Sequence, residues 1–156
     1  MAGQGGGAGG VDLVGEVPQS GGVVGAGGGR VDERALADPM CAAVGPLVET
    51  FVVNELIRQE SFGETRVQLS HYRTHDGVEV DVVAETTDGW VGGAEVKASA
   101  TVTLTDFRYL ARLRDLLDAS GGHFVRGVVL YSGTQILPFG DRLVAMPLAS
   151  LWMPPE

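Results

Sequence analysis

Lysine is almost missing from this sequence: Lys97 stands alone beside ten arginines. Cysteine is as scarce. Cys41 has no second cysteine to pair with, so an internal disulfide is excluded and a reducing, cytoplasmic setting is expected. No apolar run nears the roughly 18 residues that a membrane span requires, and the start shows no charged-then-apolar leader, so no membrane partner is expected. The glycine-rich GQGGGAGG near the start is followed by no Gly-Lys-Ser/Thr, so it is no phosphate loop. The glycines keep no three-residue period, which excludes collagen. Positive charge is short overall. The formal net charge is −9, and over residues 40–156 there are 15 acidic side chains against 9 basic ones. That balance excludes a broad basic surface for nucleic acid. It leaves room for a narrow site where a metal bridges carboxylates and phosphate.

What is present divides in two. Residues 1–30 hold 13 of the 24 glycines and only three charges, Asp12, Glu16 and Arg30. Glycine is costly to order and buries no side chain, so residues 1–35 are expected to form a disordered tail. Residues 36–156 have ordinary composition and are enough for one core.

Within that domain, GPLVETFVVNELIRQ (Gly45–Gln59) predicts a helix, with Pro46 at its first position. Leu47, Val48, Phe51, Val52, Leu56 and Ile57 form a wide apolar arc, as in a helix buried on more than one side, and Glu49 and Glu55 fall inside it. Three strands follow: Val67–Arg73, Val78–Glu85 and Trp90–Ser99, separated by the turn signals HDG and TDG. Alternation puts Val78, Val80 and Val82 on one face of the second strand and Glu79 and Asp81 on the other. Leu104–Ser120 reads as a second helix, with Thr105 as N-cap, Asp106 in the first turn, and Gly121 and Gly122 ending it. Phe124–Gly133 is an apolar run suited to a central strand, and a last short strand lies within Arg142–Trp152. Phe124 and Trp152 are expected in the core. The order α-β-β-β-α-β-β, with a crossover through the second helix, predicts an α/β fold: a mixed sheet flanked by helices.

Parity on the meander brings charges together. With a three-residue loop ending in glycine at each turn, Asp81 lies opposite Glu95, Glu79 opposite Lys97, and His71 and Arg73 join the same face. Directly opposed residues have Cβ atoms about 5 Å apart. A two-residue Asp-Gly turn would shift the register and separate Asp81 from Glu95. Neighbouring carboxylates repel unless a cation lies between them, and magnesium typically takes one or two carboxylates plus waters and phosphate. Asp81, Glu95 and Lys97 thus suit metal-assisted phosphodiester hydrolysis, the lysine stabilising phosphate charge or orienting a water. Glu49 could add a metal ligand. The plainer alternative is a cross-strand charge cluster, with Glu79 paired to Lys97 and Asp81 facing water. Similarly, Arg73 is expected to pair with Glu79, and Glu55 with Arg73. His71 is expected to be an ordinary strand residue. Arg108, Arg112 and Arg114 could follow a nucleic-acid backbone, but Asp115 and Asp118 nearby favour a salt-bridged helix face.

The pattern resembles the PD-(D/E)XK nuclease superfamily: an acid in the first helix (Glu49), an aspartate in the second strand (Asp81), and Glu95-Val96-Lys97 in the third. More closely, GPLVETFVVNEL, HYRTHDGVEVDVV, GGAEVKAS, GVVLYSG and MPLASLW resemble a prokaryotic group in which a nuclease-like domain of unknown function ends a chain that begins with an AAA-type ATPase. The resemblance covers about Leu36 to Trp152. It implies a restriction-endonuclease-like fold and a magnesium- or manganese-dependent nuclease or DNA-processing activity. Glu49, Asp81 and Glu95 would hold the metal, and Asp81, Glu95 and Lys97 would carry catalysis. It also implies nucleic acid as a partner and an AAA-type ATPase module supplied in trans, since no Walker lysine is present here. A catalytically silent binding or regulatory domain, the remnant of a truncated ATPase, is the alternative.

Overall fold

The computed structural model describes residues 39–153 apart from position 76. The glycine-rich segment 1–35, expected to be a disordered tail, lies outside the described residues. Helix α1 (Pro39–Phe62) leads into strands β1 (Val67–Arg73), β2 (Glu79–Thr86) and β3 (Trp90–Lys97). A 3-10 turn (Leu104–Phe107) opens helix α2 (Arg108–Ser120), and β4 (His123–Tyr131), β5 (Leu137–Pro138) and β6 (Leu143–Pro147) follow. The six strands form one mixed sheet in the order β1-β2-β3-β4-β6-β5. β4 is central and runs parallel to both β3 and β6, while β1–β2, β2–β3 and β5–β6 are antiparallel. The mixed sheet and the central place of β4 match the sequence reading. The two-residue β5 was not foreseen, and its proline sits on an edge, where a missing N–H breaks no ladder.

Both meander turns take the three-residue form. Gly77 and Gly89 close them with φ of 76° and 80°, the left-handed region that glycine enters freely. Each turn is tied at its base: the Thr74 N–H donates to the Val78 carbonyl (2.9 Å), and the Gly89 N–H to the Thr86 carbonyl (2.9 Å). The resulting register pairs Val82 with Ala94 and Val83 with Gly93, as the loop type requires.

The main core lies between the sheet and α2. Leu110 and Leu113 are buried there with Val80, Val83, Val91, Phe107, Phe124 and Val129. Two glycines make room for Leu110: a Cβ on Gly93 would stand 2.7 Å from its Cδ2, and one on Gly127 would stand 3.0 Å from its Cβ. Gly121 ends α2 in the left-handed conformation expected of it. The N-cap, however, is Thr103 rather than Thr105, because the 3-10 turn starts the helical run one residue after Thr103.

Helix α1 differs from expectation in two respects. It begins before Pro46, which is therefore an interior residue. The proline ring disfavours helical geometry in the preceding residue mainly by clashing with its N–H and Cβ, and Gly45 has no Cβ. The apolar arc is also largely uncovered. Val52 is fully buried, but Leu47 and Phe51 are 67% and 58% exposed. α1 packs chiefly on β3, so only one side of it is covered. Trp152 is likewise not core: it is 45% exposed and stacks on Phe51 with ring centroids 5.4 Å apart.

Candidate functional site

The ladder between β2 and β3 stops short of the charged residues. Its last pair is Val82–Ala94. On the other side of β2, the β1 register slips between Ser70 and Tyr72, so Asp81 and Val82 together oppose His71. This bulge breaks the alternation. Val80 and Val83, not Val80 and Val82, belong to the core under α2. Bulges commonly re-aim a side chain, and here the Asp81 carboxylate takes over the ladder's work. Its Oδ2 accepts the Val96 N–H at 2.8 Å. Asp81 and Glu95 therefore meet across an opening between β2 and β3, as register reasoning expected, although a side chain rather than backbone joins the strands there.

The carboxyl of Glu95 is the most perturbed group. Burial pushes it up to about 9, aided by the Asp81 charge, a hydrogen bond to Asp81, and the more distant Glu79 and Glu49. Its Oε1 is buried and, with both acids ionised, meets no donor. Protonated Glu95 can donate to Asp81, which removes the repulsion between the two carboxyl groups. Glu49, on α1, is also raised, first by partial burial and then by Asp81 and Glu79, with His71 opposing. It feels the pair but does not complete a cluster. Among the described residues, no group of three or more His, Cys, Asp or Glu is disposed to hold a metal ion. The full Glu49/Asp81/Glu95 set expected from the sequence is therefore not assembled as such. What the structure leaves for a cation is the Asp81–Glu95 pair, the buried Glu95 Oε1 having no hydrogen-bond partner, and two carboxyl side chains are the number that magnesium often takes from a protein.

Lys97 shares the Glu95 side of β3 but pairs elsewhere. Its Nζ meets Asp106 Oδ2 at 2.5 Å, not Glu79. The same Oδ2 accepts the Thr103 N–H (2.7 Å) and hydroxyl (3.0 Å), and the Asp106 N–H returns to the Thr103 carbonyl at 3.0 Å. Burial pulls the Asp106 carboxyl up, but Lys97 and Thr103 outweigh it and hold it below its ordinary value. The sequence signal was there to be read: Thr103-Leu-Thr-Asp106 is an N-terminal capping pattern. A groove of about 270 Å³ runs beside these residues, lined by Glu95, Lys97, Thr105, Asp106, Arg108 and Tyr109 among others. A larger hollow of about 460 Å³, between Glu60, Arg66 and Glu85, holds none of the predicted site residues.

The remaining charged residues fall into local pairs. Glu79 pairs with His71 Nε2 at 3.2 Å rather than with Arg73, and His71 Nδ1 faces the Asp81 carbonyl at 3.3 Å. Glu55 is 8% exposed and bonds to Arg58 and Gln59, not Arg73. Those bonds pull its carboxyl down to about 2. Arg114 pairs with its neighbour Asp115, while Asp118 pairs with Arg142 ahead of β6 rather than with an arginine of α2, so the expected salt-bridged helix face forms only in part. Arg108 makes no such pair among the described residues.

The family described as a domain of unknown function, DUF4143, matches residues 44–151, a span that takes in every strand and α2. No curated protein matches the chain. No helix among the described residues is long and apolar enough to cross a membrane.

Proposed function

The chain belongs to the DUF4143 family, and from that premise we propose that it is a nuclease-like domain that hydrolyses phosphodiesters with magnesium or manganese. The observation that carries this reading is the apposition of Asp81 and Glu95, with the Glu95 carboxyl pushed up by burial and by the Asp81 charge. The element order, an acid-bearing helix, a meander, a second helix and a parallel strand, agrees with a restriction-endonuclease-like arrangement. Asp81 and Glu95 would hold the cation, and Glu49 would add to the negative field that draws it in. A bound divalent ion supplies charge neutralisation and polarisation of a phosphoryl oxygen. Asp81 is held in place by the Val96 N–H on its Oδ2. Lys97 provides the positive charge for the phosphate. Nucleic acid is the substrate in this reading, and an AAA-type ATPase module is a partner in trans.

A second reading has its own support. Lys97 is engaged by Asp106, as in a catalytically silent binding or regulatory domain that keeps the acidic pair as structure. Calorimetric titration with Mg²⁺ and Mn²⁺, on the wild type and Asp81→Ala, decides the metal site: the wild type should bind and the variant should not. Cleavage of plasmid and single-stranded substrates, with and without Lys97→Ala, then separates enzyme from relic. Metal binding without any cleavage would favour the silent domain, and no metal binding would remove the first reading.

A further inference from the structure

Packing alone leaves the bulge in β2 incompletely determined. Ser70 pairs with Val83 and Tyr72 with Val80, so β2 holds one residue more than β1 between those pairs. Burial of Val80 and Val83 in the core confines the bulge to Asp81 and Val82. It does not fix the plane of the Asp81 peptide, because a bulge takes its residues out of the regular ladder. His71, the residue of β1 that faces the bulge, supplies that hold. Its Nδ1 lies 3.3 Å from the Asp81 carbonyl, and a carbonyl oxygen only accepts, so the ring is the donor. Its Nε2 lies 3.2 Å from the Glu79 carboxylate, which keeps the ring from turning. The neighbours Ser70 and Tyr72 are both buried, so the stretch of β1 that carries the ring is anchored on either side of it. Asp81 is thus gripped twice: its carbonyl from β1 by His71, and its Oδ2 from β3 by the Val96 N–H at 2.8 Å.

We propose that His71 is the positioning residue of the Asp81–Glu95 site. Through the Asp81 carbonyl it sets the tilt of the bulge, and with it the aim of the Asp81 carboxylate, while Glu79 orients the ring. His71 acts through Asp81 and not on a cation, because both ring nitrogens are engaged, one by the carbonyl and one by Glu79. This proposal rests on the metal reading of Asp81 and Glu95 and names the group that holds its geometry. Replacing an outer group that orients a metal ligand typically weakens metal binding by about 10–100-fold.

Asparagine and glutamine separate the roles of the two ring nitrogens. His71→Asn places an amide N–H where Nδ1 stands and keeps the bond to the Asp81 carbonyl. His71→Gln places one where Nε2 stands and keeps only the bond to Glu79. In calorimetric titration with Mn²⁺, His71→Gln should bind about tenfold more weakly than the wild type or worse, and His71→Asn within about threefold of it. A second readout needs no metal: hydrogen exchange of the Val96 amide, followed by NMR in EDTA. It should quicken severalfold in His71→Gln and keep the wild-type rate in His71→Asn, while the amides of β4 stay protected in both. A histidine that serves only packing would affect the two variants alike, and that result overturns the proposal. Wild-type exchange at Val96 in His71→Gln overturns it as well. Should His71→Gln fail to fold, His71→Ala takes its place: it also lacks the donor, and the side chain it removes is 35% exposed. No Mn²⁺ binding by the wild type removes the metal reading, while the exchange of Val96 still decides whether His71 aims Asp81.

Discussion

Glu95 is expected to destabilise the metal-free protein at neutral pH, and Glu95→Gln to stabilise it. The folded carboxyl keeps its proton up to about 9, against 4.5 in the unfolded chain. A raised carboxyl stabilises the fold below the unfolded value, and that contribution is lost as pH rises towards the folded one. Between 4.5 and neutrality the folded state holds a proton that the unfolded chain has released. At about 1.4 kcal/mol per pH unit, the loss reaches about 3 kcal/mol by pH 7. Solvent at the groove mouth screens part of this, so about 2 kcal/mol is expected. Glutamine has the same shape, carries no charge and can still donate to Asp81. Its variant should melt higher by roughly 5–10 °C at pH 7, by more at pH 8, and by little near pH 4.5. Thermal unfolding followed by circular dichroism in EDTA, from pH 4.5 to 9, gives the comparison. Adding Mg²⁺ should raise the wild type more than the variant, because a bound cation lets both carboxylates ionise. A gap between the two proteins that does not grow with pH, whatever its size, would mean that the fold does not hold the Glu95 proton.

Other expectations follow from the packing. Gly127→Ala should destabilise more than Gly93→Ala, within about 1–3 kcal/mol for each. The new methyl at 127 meets the Leu110 Cβ, which cannot rotate away, as well as Leu143 Cδ2 at 2.7 Å, whereas that at 93 meets the mobile end of Leu110; urea unfolding ranks them. Leu110→Ala should cost about 2–5 kcal/mol by the same measurement, since Leu110 is fully buried. Arg142→Ala should lower the melting temperature. Its guanidinium ties the start of β6 to Asp118 and to the Phe124 carbonyl. Arg142→Gly should lose less, because Arg142 sits at a φ of 56°, a left-handed conformation that costs a side-chain-bearing residue. Equal melting temperatures for the two variants would count against backbone strain at that position.

Much of the meander was legible because turns of the form Thr-x-x-Gly have few solutions. Once Gly77 and Gly89 occupy the left-handed position, the pairing of every residue near the turn follows, and so does the meeting of Asp81 with Glu95. The bulge at Asp81–Val82 was not legible. A valine-rich strand reads as regular alternation, and nothing in Val-Glu-Val-Asp-Val-Val says which valine repeats a face. Helix α1 was misread for a related reason. Apolar periodicity reports which side could be buried, and only the packing partner decides how much of it is. Lys97 was assigned from its neighbours in the strand, yet its partner comes from the cap of α2, nine residues on. The capping pattern at Thr103 was visible, but it stops at the helix and says nothing of the lysine it also serves.

The sheet order has a consequence in time. The meander from Val67 to Lys97 closes through short turns, whereas β4 can join β3 only after the crossover of α2. Local pairings generally form ahead of distant ones. Asp81 and Glu95 are thus expected to be side by side while still wet, and the arrival of α2 and β4 then dries the Glu95 carboxyl. Its desolvation falls on the late half of assembly, so Glu95→Gln should quicken refolding at alkaline pH in stopped-flow mixing and leave the rate at acid pH unchanged. In that sequence the acidic pair resists the last step of folding, and a cation captured early would be enclosed as the two halves close.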